Sequence, residues 1–361
     1  MTTGGRKGGR RTGLLLAALA APASMGVSGP SLALPEAARA LAVTPASAAW
    51  LMTAFGIGMA VGTPLLSATA GRRHGTTGVV KAATALVTLG ALVVLLAPNL
   101  SLAVAGRALE AAGAAALNVA AFQLAGRDRT GRTPGLVAIG SAAGGTAGLF
   151  VGAAVAGAFG WRGALVLPLL SLLSLRPVLR LADAEPTRPD ESPRTPGKDL
   201  GILRNSRFLA AAALMLAVST VNFALLYAAP RRVAALTGWG PVETGAVASV
   251  AALTGALLSW QLVRVAPALG AARLKALLGA GSAVALVLAV TAPWPVAVLV
   301  GSGTSALVTA GGQGLLSGAA TETLPAARHG NAIGLFNLAF LVGVAAGPAL
   351  ASFADQTVQF I

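Results

Sequence analysis

The sequence predicts an all-α membrane protein of about eleven spanning helices, grouped as a six-helix and a five-helix bundle. Three observations carry this. Of 361 residues, 55% are hydrophobic and only 10% are charged, against about 25% charged in a soluble chain. The apolar residues come in runs of about 20, enough to cross about 30 Å of hydrocarbon as helix. The charged residues gather in the short stretches between those runs. A mean hydropathy of +0.78 leaves too little polar surface to cover a soluble particle, a requirement that lipid removes.

The spans expected, in order, are 13–34, 46–69, 78–97, 99–125, 133–157, 162–181, 207–228, 242–266, 273–292, 294–318 and 330–354. The first follows Arg10-Arg11. Its Leu14 to Ala23 run, ending in Ala21-Pro22-Ala23, also fits a signal peptide, but the apolar run continues to Leu32-Ala33-Leu34 and more spans follow, so it reads as a retained helix with a basic anchor. The connections carry turn residues: Pro98-Asn99, Gly160-Trp161, Gly238-Trp239-Gly240-Pro241 and Pro293-Trp294-Pro295. One long polar stretch, 182–206, holds Pro186, Pro189, Pro193 and Pro196 among charges and reads as a cytoplasmic linker. It divides an N-terminal bundle, 1–181, from a C-terminal bundle, 207–361.

With the N-terminus in the cytoplasm, twenty-one of the 26 Lys and Arg residues fall in inside segments and four (Arg39, Arg162, Arg231, Arg232) fall outside. Arg107 is left within the fourth span. That bias is a positive-inside signal, and it accounts for the net charge of +15 without nucleic acid. The absence of cysteine excludes disulfides and thiolate sites. The two histidines, His74 and His329, sit in expected loops and suggest no metal; no cofactor is expected.

Charge inside a span is costly and is usually paired. Arg107 and Glu110 lie three residues apart, on one face of the fourth span. They read either as a structural pair or as a coupling pair, in which protonating Glu110 frees Arg107. Gly140, Gly144, Gly148 and Gly152 form a stripe on the fifth span, suited to close helix packing or to a surface that slides. Asn118, Asn222, Gln313 and Asn337, with Gln123 and Gln261, are candidates to line a mostly apolar cavity; Tyr227, Trp50 and Trp260 could add aromatic contacts.

Three local patterns resemble the major facilitator superfamily, within it the drug:proton antiporters, and the resemblance runs over nearly the whole chain. Arg107-Ala-Leu-Glu110-Ala-Ala-Gly113 resembles the fourth-helix motif, with Glu110 where Gln is usual and Ala111 where Gly is usual. Gly148-Leu-Phe-Val-Gly152-Ala, followed by Gly160-Trp161-Arg162, is similar to the antiporter motif of the fifth helix, with Leu149 in place of proline and Ala153 in place of glycine. Arg72-Arg73-His74-Gly75 occupies the place of the family's gating loop after the second helix, without its aspartate. Gly343-x-x-x-Gly347-Pro348 in the last span echoes the fifth, as a repeat of two halves predicts.

The resemblance implies a major facilitator fold and alternating access. It implies a small-molecule substrate, proton-coupled export of hydrophobic or cationic compounds, and a multi-pass monomer in the cell membrane. It also implies a twelfth helix after residue 354, where only Asp355 to Ile361 remain. Either the sequence is truncated or the chain is an eleven-span variant with its C-terminus outside. Import and a transport-inactive relative remain as alternatives. The spans lack the paired carboxylates, His dyad or metal cluster that a membrane enzyme would need, and no Walker-type motif appears.

Overall fold

The computed structural model describes residues 3–125, 132–183, 201–325 and 328–359. The chain divides into two compact units, Met1–Glu191 and Ser192–Ile361.

In the first unit, α1 (Thr3–Ser28) runs into a 3-10 turn, Gly29–Leu32, where Pro30 cannot continue the helix. Two short helices follow, α2 (Leu34–Ala40) and α3 (Pro45–Ala48). The Thr44 hydroxyl caps α3 by accepting from Ser47 N–H at 3.1 Å. Next, α4 (Trp50–Leu96) is two helical arms joined at Gly75, whose φ of 60° and ψ of −159° are non-helical. After it come α5 (Leu100–Ala125) and α6 (Arg132–Leu165), the latter broken at Gly160. A 3-10 segment, Leu167–Ser174, leads into α7 (Leu175–Asp183). The core of this unit joins Leu16 and Leu19 of α1, Phe55 and Val87 of α4, and Leu117 and Ala121 of α5.

The second unit holds α8 (Ser206–Thr237), α9 (Pro241–Thr291), α10 (Pro295–Thr321) and α11 (His329–Gln359). Its core joins Phe208 and Met215 of α8, Leu278 of α9, Leu316 of α10 and Phe336 of α11. Asn205 opens α8, its side-chain oxygen accepting from the N–H groups of Arg207 and Phe208 at 3.0 Å. Ile202, inside the stretch expected as linker, is fully buried in this core.

Nine helices among the described residues are long and apolar enough to span, and two differences separate that number from eleven. The eighth and ninth expected spans are the two arms of α9, which run on from one another through Gly270 without a loop. At 1.5 Å per residue each arm is about 30–45 Å long, enough to cross the hydrocarbon by itself. The helix is broken at Gly270, φ 72° and ψ 160°, so the expected loop is a single glycine hinge. Gly75 does the same within the expected gating loop; a positive φ that glycine tolerates turns the chain in one residue. The sixth expected span, 162–181, is not a continuous α-helix. Pro168 and Pro177 withhold amide donors, and the segment divides into 3-10 and α pieces.

Large apolar side chains face outward along these helices, Leu173 at 83% exposure and Phe159 at 78% among them. Water would penalise such a surface and lipid does not.

The two units repeat one plan. A kinked double-length helix packs on the next helix, α4 on α5 and α9 on α10, while the unit's first long helix packs on its last, α1 on α6 and α8 on α11. One constant spacing in the sequence relates Gly75 to Gly270, Gly106 to Gly301, Gly148 to Gly343 and Gly152 to Gly347. The same spacing sets Ser302 and Ser305 opposite Arg107 and Glu110, so the charged pair belongs to the first unit alone.

Candidate functional site

Arg107 and Glu110 lie in the second and third turns of α5, a helix that starts where Asn99 Oδ1 accepts from Leu102 N–H at 3.0 Å. Small residues around the pair let neighbouring backbones close in. A Cβ on Gly58 would strike the Ala108 carbonyl, and one on Gly62 would strike Ala112. A Cβ on Gly90 would strike the Glu110 backbone, and one on Gly113 the Ala83 carbonyl. Both arms of α4 therefore press on α5, and Arg107 and Glu110 are fully buried.

Arg107 is the hub. Its Nη1 donates to Glu110 Oε2 at 2.7 Å and to the Leu165 carbonyl at 2.5 Å. Its Nη2 donates to the Gly26 carbonyl at 2.7 Å, and its guanidinium carbon lies 4.1 Å from the centroid of the Phe55 ring. Four elements meet there: α1, α4, α5 and the end of α6. Glu110 is held on one side only. Its Oε1 is buried and has no hydrogen-bond partner among the described residues. The sequence indicates the pair, but not Gly26, Phe55 or Leu165.

The glycine stripe of α6 lies on α1. Gly140 faces Ala17, Gly144 the backbone of Ala21, Gly148 the Ser28 hydroxyl and Met25, and Gly152 the backbone of Gly29. Two hydrogen bonds cross that contact, Ser24 Oγ with Ser141 Oγ at 2.7 Å and Ser28 Oγ to the Gly145 carbonyl at 2.7 Å. In the second unit Gly343 meets Ser219 and Gly347 meets Phe223 and Ala224, both of α8. Pro348 is buried beside them within α11.

Of the polar cavity candidates, the structure links one into a cluster. Asn118 Nδ2 donates to Ser141 Oγ at 3.3 Å, joining the Ser24–Ser141 pair, and its buried Oδ1 has no partner among the described residues. Asn222 is half-buried, while Gln313, Asn337, Gln123 and Gln261 are exposed. Tyr227 is buried, with the Arg231 guanidinium carbon 3.7 Å from its ring centroid. Trp50 and Trp260 are exposed, and Arg264 lies 5.0 Å from the Trp260 ring. Gly75 is the hinge of α4; the side chains of Arg72 and Arg73 lie outside the described residues. No group of His, Asp and Glu among the described residues could hold a metal ion.

The family model described as Major Facilitator Superfamily matches residues 14–353. No curated protein matches the sequence. Among solved structures, a bacterial homolog of the human lysosomal transporter Spinster, inward-facing and unoccupied, superposes with a TM-score of 0.68 at 15% identity, over 99% of this chain and 84% of that one. The nucleoside transporter NupG superposes with a TM-score of 0.71 at 13% identity, over 96% of this chain and 91% of that one. At such identities the likeness is one of fold.

Proposed function

Because the chain belongs to the major facilitator superfamily, a family of membrane transporters, we propose that it is a proton-coupled exporter of small hydrophobic or cationic compounds. The observation that carries the reading is the buried Arg107–Glu110 pair. A carboxylate sealed against lipid-facing helices is costly to keep charged, and Arg107 is its one compensating charge among the described residues. Taking up a proton cancels the charge on Glu110 and releases Nη1 of Arg107; losing the proton remakes the pair. Coupled to the rocking of two bundles, that exchange ties proton entry to cargo exit. The drug:proton antiporter branch and the cargo class are both proposed from the motif resemblance.

Within this proposal the N-terminus is cytoplasmic, the protein is a monomer of the cell membrane, and the connection between α7 and the buried Ile202 is cytoplasmic. The glycine stripes are the surfaces on which α1 and α6, and α8 and α11, shift during the cycle. The Gly75 hinge with Arg72 and Arg73 is the gating element, and Asn222, Gln313 and Asn337 line the route of the cargo.

The test is retention of a panel of dyes and antibiotics in cells producing the chain or its Glu110→Gln variant, with and without a protonophore. The expected result is lower retention of some compound, erased by the protonophore and absent in Glu110→Gln although that protein is present in the membrane. Transport with an unchanged pH dependence in Glu110→Gln removes Glu110 from the coupling role.

A further inference from the structure

The contacts of Arg107 explain why an arginine can be kept in so apolar a place, and they point to residues that no motif covers. An α-helical carbonyl normally accepts from the amide four residues on. For Gly26 that residue is Pro30, which has no N–H. For Leu165, the amide of Leu169 is spent on the Val166 carbonyl at 3.0 Å, and the residue before it is Pro168, again without N–H. Two carbonyls are thus stripped of their helical donors, and these are the two that Arg107 takes. The prolines also sit close to one another's helices. A Cβ on Gly26 would fall 2.7 Å from Pro168 Cγ and on the edge of the Phe55 ring, and one on Gly29 would meet the Leu167 side chain. Gly26, Phe55, Leu165, Pro168 and Arg107 therefore form one knot.

We propose that Pro30 and Pro168 are positioning residues: by leaving the Gly26 and Leu165 carbonyls free, they build a fixed seat for the Arg107 guanidinium that does not depend on Glu110. The asymmetry of the pair follows. Arg107 keeps two carbonyls and the Phe55 ring when the ion pair opens, whereas Glu110 keeps no hydrogen-bond partner among the described residues. Glu110 is the moving member and Arg107 the fixed one. This consequence rests on the coupling role proposed above for the pair; the seat itself does not.

The experiment is a mutant cycle on the purified full chain in detergent, read as apparent melting temperature without substrate. Pro30→Ala and Pro168→Ala, singly and together, are made in the wild type and in an Arg107→Met/Glu110→Gln background. In the wild type the new amides compete with the guanidinium for the carbonyls, and the melting temperature falls. In the background lacking Arg107 the same amides satisfy orphaned carbonyls, and it rises. Effects of proline on the unfolded chain are common to both backgrounds and cancel. A change of the same sign and size in both overturns the seat. Should the double background fail to accumulate, Arg107→Lys replaces it. Its single ammonium cannot span both carbonyls, and the two alanines are again expected to raise the melting temperature there; a fall equal to that in the wild type overturns the proposal.

Transport supplies a separate readout. With the seat intact, Glu110→Gln loses pH dependence yet melts within a few degrees of wild type. Loss of pH dependence together with collapse of the fold would show that Arg107 depends on Glu110, against the seat. An unchanged pH dependence with the sign reversal intact would sink the coupling role and leave the seat standing.

Discussion

Replacing Gly144 by alanine tests the closeness of α1 and α6 directly. The added Cβ would fall on the Ala21 carbonyl, a backbone group that cannot swing aside, so the helices must part by about 1 Å to regain ordinary contact. Overpacking of this kind costs about 1–3 kcal/mol. Parting the helices also stretches the Ser24–Ser141 and Ser28–Gly145 hydrogen bonds, both 2.7 Å, at about 0.5–1.5 kcal/mol each. Alanine returns about 1 kcal/mol through helix propensity. The net loss is about 1–5 kcal/mol. Gly157, on the same helix, is the internal control: a Cβ there meets nothing within 4 Å, so Gly157→Ala keeps only the propensity gain. The assay is the melting of detergent-extracted protein followed by size-exclusion chromatography. Gly144→Ala should melt below the wild type and Gly157→Ala at or above it. Equal shifts for the two would refute the close packing of α1 on α6.

Three further outcomes are expected. Arg107→Met leaves a buried carboxylate unpaired, at about 3–5 kcal/mol, and orphans two carbonyls at about 1–3 kcal/mol each; membrane extracts should contain little folded protein, and normal yields would contradict the hub. Gly270→Ala adds a Cβ in open space, so its cost is the strained backbone alone, φ 72° with ψ 160°, about 1–3 kcal/mol, visible as a drop in melting temperature. Asn205→Ala removes the cap of α8 and the 3.0 Å hydrogen bond to Thr323; a loss of about 1 kcal/mol should appear in the same assay, and no loss would discount the cap.

The sequence by itself determined the membrane class, the number of apolar runs to within the two that the fold joins or breaks, and the pairing of Arg107 with Glu110. These follow from local properties: run length against bilayer thickness, and helical periodicity, which puts positions three apart on one face. The repeat was legible too, in the glycines of α6 and α11. The tertiary structure decided what those residues touch. That the α6 stripe lies on α1, that Gly75 and Gly270 replace whole loops, and that the 162–181 run is no continuous helix all depend on how distant segments pack. The seat of Arg107 is the clearest case. Its acceptors, Gly26 and Leu165, are backbone carbonyls, and every residue carries one, so side-chain identity cannot single them out. The sequence held one trace of them, Pro30 and Pro168, and only the approach of three helices turned two missing amides into a binding site for a guanidinium.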